Sequence, residues 1–473
     1  MEAIQPCSAR DSNNRRTRTK LVFVGKMNWF DRLRAHVRSG QAGSGQTEGL
    51  VLSGGGSRAS FHIGALRYLY DNCHISPTSI TSTSAGSIVG AMLAQSLDPA
   101  EQLKNVRVLE RYWLAMSDSS EMFTEQAWFT KLREQWDQIA SVIPERDDSE
   151  FAFVDTDGSD AEHLVEEAIR TDPSTHSADF SLSLLWQALG SIPRLGKVGT
   201  GLAAIWRGAE RAGSAYRPGP IIHKLLFESG FSAQAVRDSG MRLRMAFVGL
   251  QSGELRFMRQ DGIIVDAEDR PIGTTAFDLP LGVWASCAIP GVFRPVKLGD
   301  DMYVDGGVRE NLPVEMSVSR LGVTKPYVIV ANAPGVPRVD FRDKDMVSVM
   351  MRALTIMFEE TNRDEVEWAR HAGATVIAPE IPVHGPRTVE RGLLQINRDY
   401  GWMRAAEETS GPTGAHAASL PVVQARLALY DACKGDDDQA RDQARTTLRG
   451  VLSETDPGIL PEGYEEWPEE TWD

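Results

Sequence analysis

Residues 48–92 read EGLVLSGGGSRASFHIGALRYLYDNCHISPTSITSTSAGSIVGAM and hold two strand–turn–helix corners in succession. Leu50, Val51 and Leu52 form a short apolar run that stops at Gly54-Gly55-Gly56. Beyond the glycines Phe61, Ala65, Leu66 and Leu69 recur at helical spacing. Residues 79–83 read as a second strand, which breaks at Ser84-Ala85-Gly86 into a helix carrying Ile88, Val89, Met92 and Leu93. A corner of small residues between a buried strand and a helix can present backbone N–H groups to a negative charge. It can also expose one side chain at the carboxyl edge of a sheet. The first corner suits the first task and the second corner suits the other.

The rest of the chain extends the same alternation. Residues 99–116 and 121–140 read as helices. Residues 242–250 and 254–258 read as strands joined by Gln251-Ser252-Gly253, a hairpin turn. A helix over 279–288 ends at Ile289-Pro290-Gly291, and a short strand over 301–304 ends at Asp305-Gly306-Gly307. A buried strand at 327–331, a long helix over 343–372 and a strand at 375–378 follow. Strand and helix in turn predict an α/β fold with a mostly parallel central sheet covered by helices. Residues 144–220 break the regularity and read as an insertion over the carboxyl edge, either a lid or ordinary packed helices. From 401 the chain reads as helical and then acidic. The expected organisation is a basic extension and linker over 1–47, a main domain over 48–400, and a helical extension over 401–473. The acidic end reads most simply as solvated and mobile.

The chain has 473 residues, an ordinary globular composition and a net charge of −15, which argues against nucleic-acid binding. Its four cysteines are scattered, so neither zinc nor a disulfide framework is suggested, and a reducing, cytoplasmic setting is expected. No apolar run reaches the length of a membrane span, and no secretory signal is read. The first 38 residues carry nine Lys and Arg. Within them, 28–38 would form a short helix with Trp29, Phe30, Leu33 and Val37 on one face. That helix reads either as docked on the body or as a peripheral contact with anionic lipid.

Ser84 is the first candidate for chemistry. Ser82-Thr83-Ser84-Ala85-Gly86 follows the G-x-S-x-G elbow with Ser in place of the first Gly, which would hold Oγ clear of the sheet. The bland alternative is a polar strand end capping a helix. A serine needs a base. None of the histidines considered (His62, His74, His223, His371, His384, His416) sits at a small-residue corner, and each reads as structural or exposed. Asp305 closes a strand and is followed by two glycines, so it reads as the base at the same sheet edge. Gly54, Gly55 and Gly56, with the N–H of Ala85, would supply oxyanion donors. Arg58 would steady that loop, contact an anionic head group, or simply be solvated. A dinucleotide site is disfavoured, since 81–84 hold no acidic residue at the end of the second strand, and a P-loop is excluded by the lack of GK[ST].

Taken together, these segments resemble the patatin-like phospholipase family over about residues 48–334. Ser53-Gly54-Gly55-Gly56-Ser57-Arg58 is similar to its oxyanion loop, and 82–86 to its nucleophile elbow. Residues 285–296 are similar to the segment before its aspartate strand, and Asp305-Gly306-Gly307 with Asn311 and Pro313 to its D-G-G/A motif. Ala59 and Ser82 stand where the family usually has Gly. The resemblance implies a three-layer patatin-like fold with a Ser84–Asp305 dyad at the carboxyl edge, hydrolysis of acyl esters of lipids, and no cofactor or metal. Two other expectations stand beside it: an effector phospholipase switched on by a signal, and a catalytically silent lipid-binding protein. Lipid class and oligomeric state are not read from the sequence.

Overall fold

Leu50, Val51 and Leu52 are completely buried, so the first strand is covered on both faces, as a parallel strand inside an α/β sheet must be. The computed structural model in which this is seen describes residues 46–134, 208, 211–336, 338, 346–410 and 418–472. The strands are β1 (Glu48–Leu52), β2 (Ser79–Thr83), β3 (Phe123–Glu125), β4 (Tyr216–Pro218), β5 (Arg242–Gly249) and β6 (Leu255–Arg259). They continue as β7 (Ile263–Val265), β8 (Pro271–Ala276), β9 (Val296–Leu298), β10 (Asp301–Asp305), β11 (Lys325–Ile329) and β12 (Thr375–Ile377). The longer helices are α1 (Ser60–Asp71), α2 (Ala85–Leu93), α3 (Pro99–Leu114), α4 (Ala127–Glu134) and α5 (Leu279–Ser286). After them come α6 (Met346–His371), α7 (Arg391–Thr409), α8 (Ser419–Lys434) and α9 (Asp438–Glu454).

Ten strands form one sheet. Its parallel block runs β12-β11-β1-β2-β5, the expected α/β core. Beyond β5 the sheet turns antiparallel through β6, β7 and β8, and β10 with β9 forms an antiparallel finger on β5. The β5–β6 hairpin is the one predicted at 251–253. The short strands β7, β8 and β9 went unread, and β8 is exposed throughout, so no apolar alternation marks it.

The register on β5 places the site. Along one edge, β2 pairs with Arg242–Ala246 and stops where Thr83 meets Ala246. The other edge is taken by β6, which pairs as far as Val248. The finger β10 therefore lies on the edge that β2 has vacated, with Asp305 opposite Phe247. Two strands running in opposite directions thus end on consecutive residues of β5. The buried strand β2 is polar, and two of its hydroxyls reach carbonyls: Thr81 Oγ1 donates to Pro313 O (2.9 Å) and Thr83 Oγ1 to Glu310 O (3.2 Å).

Three expectations change. The helix read over 121–140 starts late: Phe123–Glu125 is a strand paired with Tyr216–Pro218, and the described helix covers Ala127–Glu134. The boundary drawn at 400/401 falls inside α7, a continuous helix with Tyr400, Gly401 and Met403 buried. The acidic end keeps most of its acids in solvent but is anchored through its apolar residues. Trp467 is buried under Arg426, whose guanidinium lies 3.8 Å from the ring centroid and also binds Asp399 and Glu470. The 28–38 helix and nearly all of the 144–220 insertion lie outside the described residues. No helix among the described residues is long and apolar enough to cross a membrane.

Helix α1, which leads out of the glycine loop, is held by α7 at a glycine–glycine crossing. A Cβ at Gly64 would stand 1.7 Å from Arg398 O, and one at Gly401 would stand 2.1 Å from Phe61 O. Backbone at such distances cannot yield as a side chain can. Gly401→Ala is expected to destabilise the protein by about 1–3 kcal/mol or more, read as a lowered midpoint in urea denaturation.

Candidate active site

The elbow is built by strain and close approach. Ser84 has φ 53° and ψ −129°, a conformation that costs a non-glycine residue roughly 1–3 kcal/mol and persists only where the surroundings impose it. Gly86 permits the turn: a Cβ there would lie 2.6 Å from both Leu52 O and Ser53 O. Ser82 replaces the usual first glycine at no steric cost, because Gly90 faces it and leaves room for its hydroxyl. Ala59 likewise needs no glycine freedom, since its backbone is helical.

Asp305 meets Ser84 through the shared edge of β5. Its carboxylate is 5% exposed, and Gly307 N donates to Oδ1 at 2.8 Å. Burial pushes its pKa up to about 6, while the Ser84 hydroxyl and the Gly307 N–H pull it back down. Oδ2 is buried without a partner of normal hydrogen-bond geometry, so the approach of Ser84 is looser than a formed hydrogen bond. Gly306 allows the close fit, because a Cβ there would stand 2.7 Å from Ala246 O.

The glycine loop arches over this pair. A Cβ at Gly54 would lie 3.0 Å from the Cβ of Ser84 and 2.5 Å from Asn311 Oδ1. Gly54 is nevertheless not a free oxyanion donor, contrary to the sequence reading: its N–H donates to Asn311 Oδ1 at 3.0 Å. The N–H groups of Gly55, Gly56 and Ala85 have no acceptor among the described residues, and they remain the available donors. Arg58 is turned inward as a brace. Its Nε donates to His384 O (2.7 Å) and Nη1 to Asn332 Oδ1 (2.9 Å), which ties the loop to two neighbouring segments. Of the three readings of Arg58, steadying the loop is the one the structure shows.

Two residues to which the sequence assigns no role of their own, Asn311 and Ser286, hold the frame; Asn311 stands in the sequence only as part of the D-G-G/A motif. Its Nδ2 donates to Asn362 Oδ1 (3.1 Å), and Glu365 accepts from Asn311 N (3.1 Å) and Leu312 N (2.8 Å). A long helix thereby fixes the amide that fixes Gly54. Two of the described histidines are buried close to the loop. His62 is buried beneath the loop near Ser53 Oγ (3.5 Å), and its pKa falls to about 3 through burial. Burial also lowers His384, to about 4.

An apolar cleft opens at Ser84 between Ile88, Trp113, Phe123, Ile222 and Phe293, and its volume is only about 30 Å³. The Phe123 ring stacks on Phe293 with centroids 5.6 Å apart. Because Phe123 belongs to the β3–β4 pair, the two ends of the insertion are stitched together at the wall of the cleft. This lining suits an apolar chain; at its present size the cleft admits only small molecules.

Ser286 is the second of these residues. Its Oγ accepts from Ser84 N (3.0 Å), donates to Ala246 O (2.7 Å) and contacts Ser87 Oγ (2.8 Å). A carbonyl can only accept, so the single proton of Ser286 goes to Ala246 and Ser87 must donate to Ser286. Ser82, 3.1 Å from Ser87 Oγ, must then donate to Ser87. This one-way chain clamps the strained elbow to β5. Ser286→Ala is expected to lower kcat on any ester substrate about 10-fold or more with little change in KM, while Ser286→Thr recovers part of the loss; steady-state kinetics on the three proteins would check it.

Comparison with known proteins shows what the chain is similar to. A protein named patatin-like phospholipase domain-containing protein from Aspergillus terreus is 31% identical over 117 residues, covering 20% of this chain and 16% of that protein. The chain thus spans about a sixth of the length of that relative. Among solved structures, VipD from Legionella pneumophila aligns with 90% of this chain and 83% of its own at 14% identity and a TM-score of 0.30. The ExoU–SpcU complex from the type III secretion system of Pseudomonas aeruginosa aligns with 88% and 67% at 16% identity and a TM-score of 0.23. The description of a whole family, patatin-like phospholipase, matches residues 50–318, more than half of the chain and the part that holds both corners and the Asp305 strand. The chain belongs to the patatin-like phospholipase family.

Proposed function

We propose that the protein is a serine-dependent lipid acyl hydrolase that cleaves acyl esters of phospholipids or related lipids. The observation that carries this reading is the meeting of Ser84 and Asp305 at the ends of β2 and β10, with Asp305 Oδ2 buried and unpartnered. Ser84 Oγ attacks the ester carbonyl as its proton passes to Asp305. The oxyanion forms against the N–H groups of Gly55, Gly56 and Ala85. The tetrahedral intermediate collapses, the alkoxide leaves with the proton returned by Asp305, and Ser84 holds the acyl group. Asp305 then takes a proton from water, which attacks the acyl-enzyme. Collapse frees the fatty acid and returns the proton to Ser84.

The proposed site requires neither metal nor organic cofactor in any of these steps. A silent lipid-binding role is disfavoured because both members of the dyad and the free donors are in place. The effector reading, in which a signal opens the site, is favoured by one observation: a cleft of about 30 Å³ must widen before an acyl chain can enter. Activity that rises when lipid, detergent or a cellular extract is added would support it.

Ser84→Ala and Asp305→Ala are each expected to lower kcat on a lipid ester by about 10³-fold or more, with unchanged circular dichroism. A fluorophosphonate probe should label the parent protein and not Ser84→Ala. Retention of a tenth of the activity by Asp305→Ala would reject the dyad. The base acts when ionised, so kcat/KM should fall as pH drops below about 6. The same raised pKa sets the sign for stability. Ionising Asp305 costs the folded state, a cost absent well below its ordinary range near 4 and complete above about 6. Inactive Asp305→Asn should therefore match or exceed the parent in thermal stability at pH 8, with a smaller advantage at pH 5.

A further inference from the structure

No charged side chain lines the cleft at Ser84, and two of the residues whose N–H groups are free for an oxyanion, Gly56 and Ala85, stand in its wall. An ester carbonyl seated on those groups therefore sends its acyl chain, not its head group, into the cleft. The open volume of about 30 Å³ holds about two water-sized groups. The walls differ in how firmly they are held. Phe123 comes from the three-residue strand β3, and Ile222 from a helix of four residues, Pro220–His223. Trp113 lies in the last turn of α3, whose Val106 and Leu109 are fully buried. Exposure rises from 3% at Ile88 to 8% at Ile222, whereas Trp113 has none, which puts the indole at the inner end. The ring is also locked. Its Nε1 donates to Ser57 O at 3.0 Å, and Ser57 N donates to Pro386 O at 3.0 Å, so residue 57 is held by both of its backbone groups. Ser57 is itself buried, so turning the ring aside would strand a donor and an acceptor away from water.

We infer that Trp113 sets the length of acyl chain the site accepts, and that the protein hydrolyses esters of about butyryl length or shorter in preference to long ones. The inference rests on the proposed hydrolysis of acyl esters and names the acyl groups that this reaction takes. A carbonyl carbon bonded to Ser84 and held at Gly56 and Ala85 leaves only the space short of the indole for the rest of the chain. Each further methylene must displace a ring that cannot turn without giving up its bond to the glycine loop. Movement of Phe123 or Ile222, at the ends of the insertion, broadens the cleft and leaves the inner stop in place. The indole bond also couples length to rate. A chain that presses on Trp113 presses on Ser57, next to the Gly56 donor, so an overlong acyl group loses oxyanion stabilisation as well as room.

The test uses the full chain with p-nitrophenyl acetate, butyrate and octanoate. The parent should have its highest kcat/KM on acetate or butyrate, with octanoate lower by about 10-fold or more. Trp113→Leu should raise the octanoate-to-butyrate ratio by about 10-fold or more. Trp113→Phe, the milder change should leucine fail to fold, should raise it less. Loss of the bond to Ser57 lowers turnover of every ester alike, so a purely structural role for Trp113 would leave the ratio where it was. Phe123→Leu, on the other wall, should move the ratio less than Trp113→Leu does. Calorimetric titration of octanoic acid into proteins carrying Ser84→Ala should show binding tighter by about 10-fold or more once Trp113 is replaced by leucine. Three results would overturn the inference: a parent as active on octanoate as on butyrate, a ratio unchanged in both Trp113 variants, or a Phe123→Leu shift as large as that of Trp113→Leu. If no ester is hydrolysed but the difference in octanoic acid binding persists, the role of Trp113 stands and the hydrolase reading falls; if neither is seen, both fall.

Discussion

Two strands that approach from opposite directions can share one edge of a third only if both stop at the same place. On β5 that place lies between Ala246 and Phe247, where β2 ends at Thr83 and β10 ends at Asp305. The backbone register alone therefore brings together a serine and a carboxylate, Ser84 and Asp305, more than 200 residues apart in sequence. The carbonyl of Ala246 sits at the junction. It receives the Ser286 hydroxyl and lies against Gly306, so the elbow and the aspartate turn are referred to one fixed atom. A site held by register is positioned by a ladder of hydrogen bonds rather than by the torsions of a loop, which gives it the precision chemistry requires.

The same junction concentrates unfavourable terms. Ser84 is strained, Asp305 is a carboxylate forced into an apolar setting, and β2 buries a row of hydroxyls. Each term is tolerable because neighbours over-determine it. Thr81 and Thr83 of β2 find carbonyls, the Ser82–Ser87–Ser286 chain clamps the elbow, and α6 fixes Asn311 and through it the glycine loop. Asp305 Oδ2 is left without a hydrogen-bond partner. Its discomfort is useful, since a carboxylate destabilised by burial takes a proton more readily than one in water.

The main outline was legible in residues 48–92 and 301–307. The glycine run, the small residues around Ser84 and the two glycines after Asp305 mark places where side chains would collide with backbone, and such constraints are written locally. The braces were not legible. Arg58 reads equally as a brace of the loop, a head-group contact or a solvated cation, and only its donors to His384 and Asn332, residues far away in the chain, choose the brace. Gly54 looks like its neighbours in sequence but is spent on Asn311. Ser286, Glu365 and the docking of Trp467 under Arg426 belong to ordinary-looking helices and an acidic end, where composition says nothing of the partner.

The sequence by itself determined the fold class and the two corners, and it singled out Ser84 and Asp305 as candidates, because steric exclusion around small residues and apolar periodicity act over a few neighbours. Tertiary structure decided which N–H groups remain free, which cation is a brace, and that β10 continues the edge of β5 where β2 stops. Those outcomes depend on register and on hydrogen-bond partners supplied by distant segments. No local pattern encodes them, because each polar group could satisfy itself in several ways until the whole sheet was assembled.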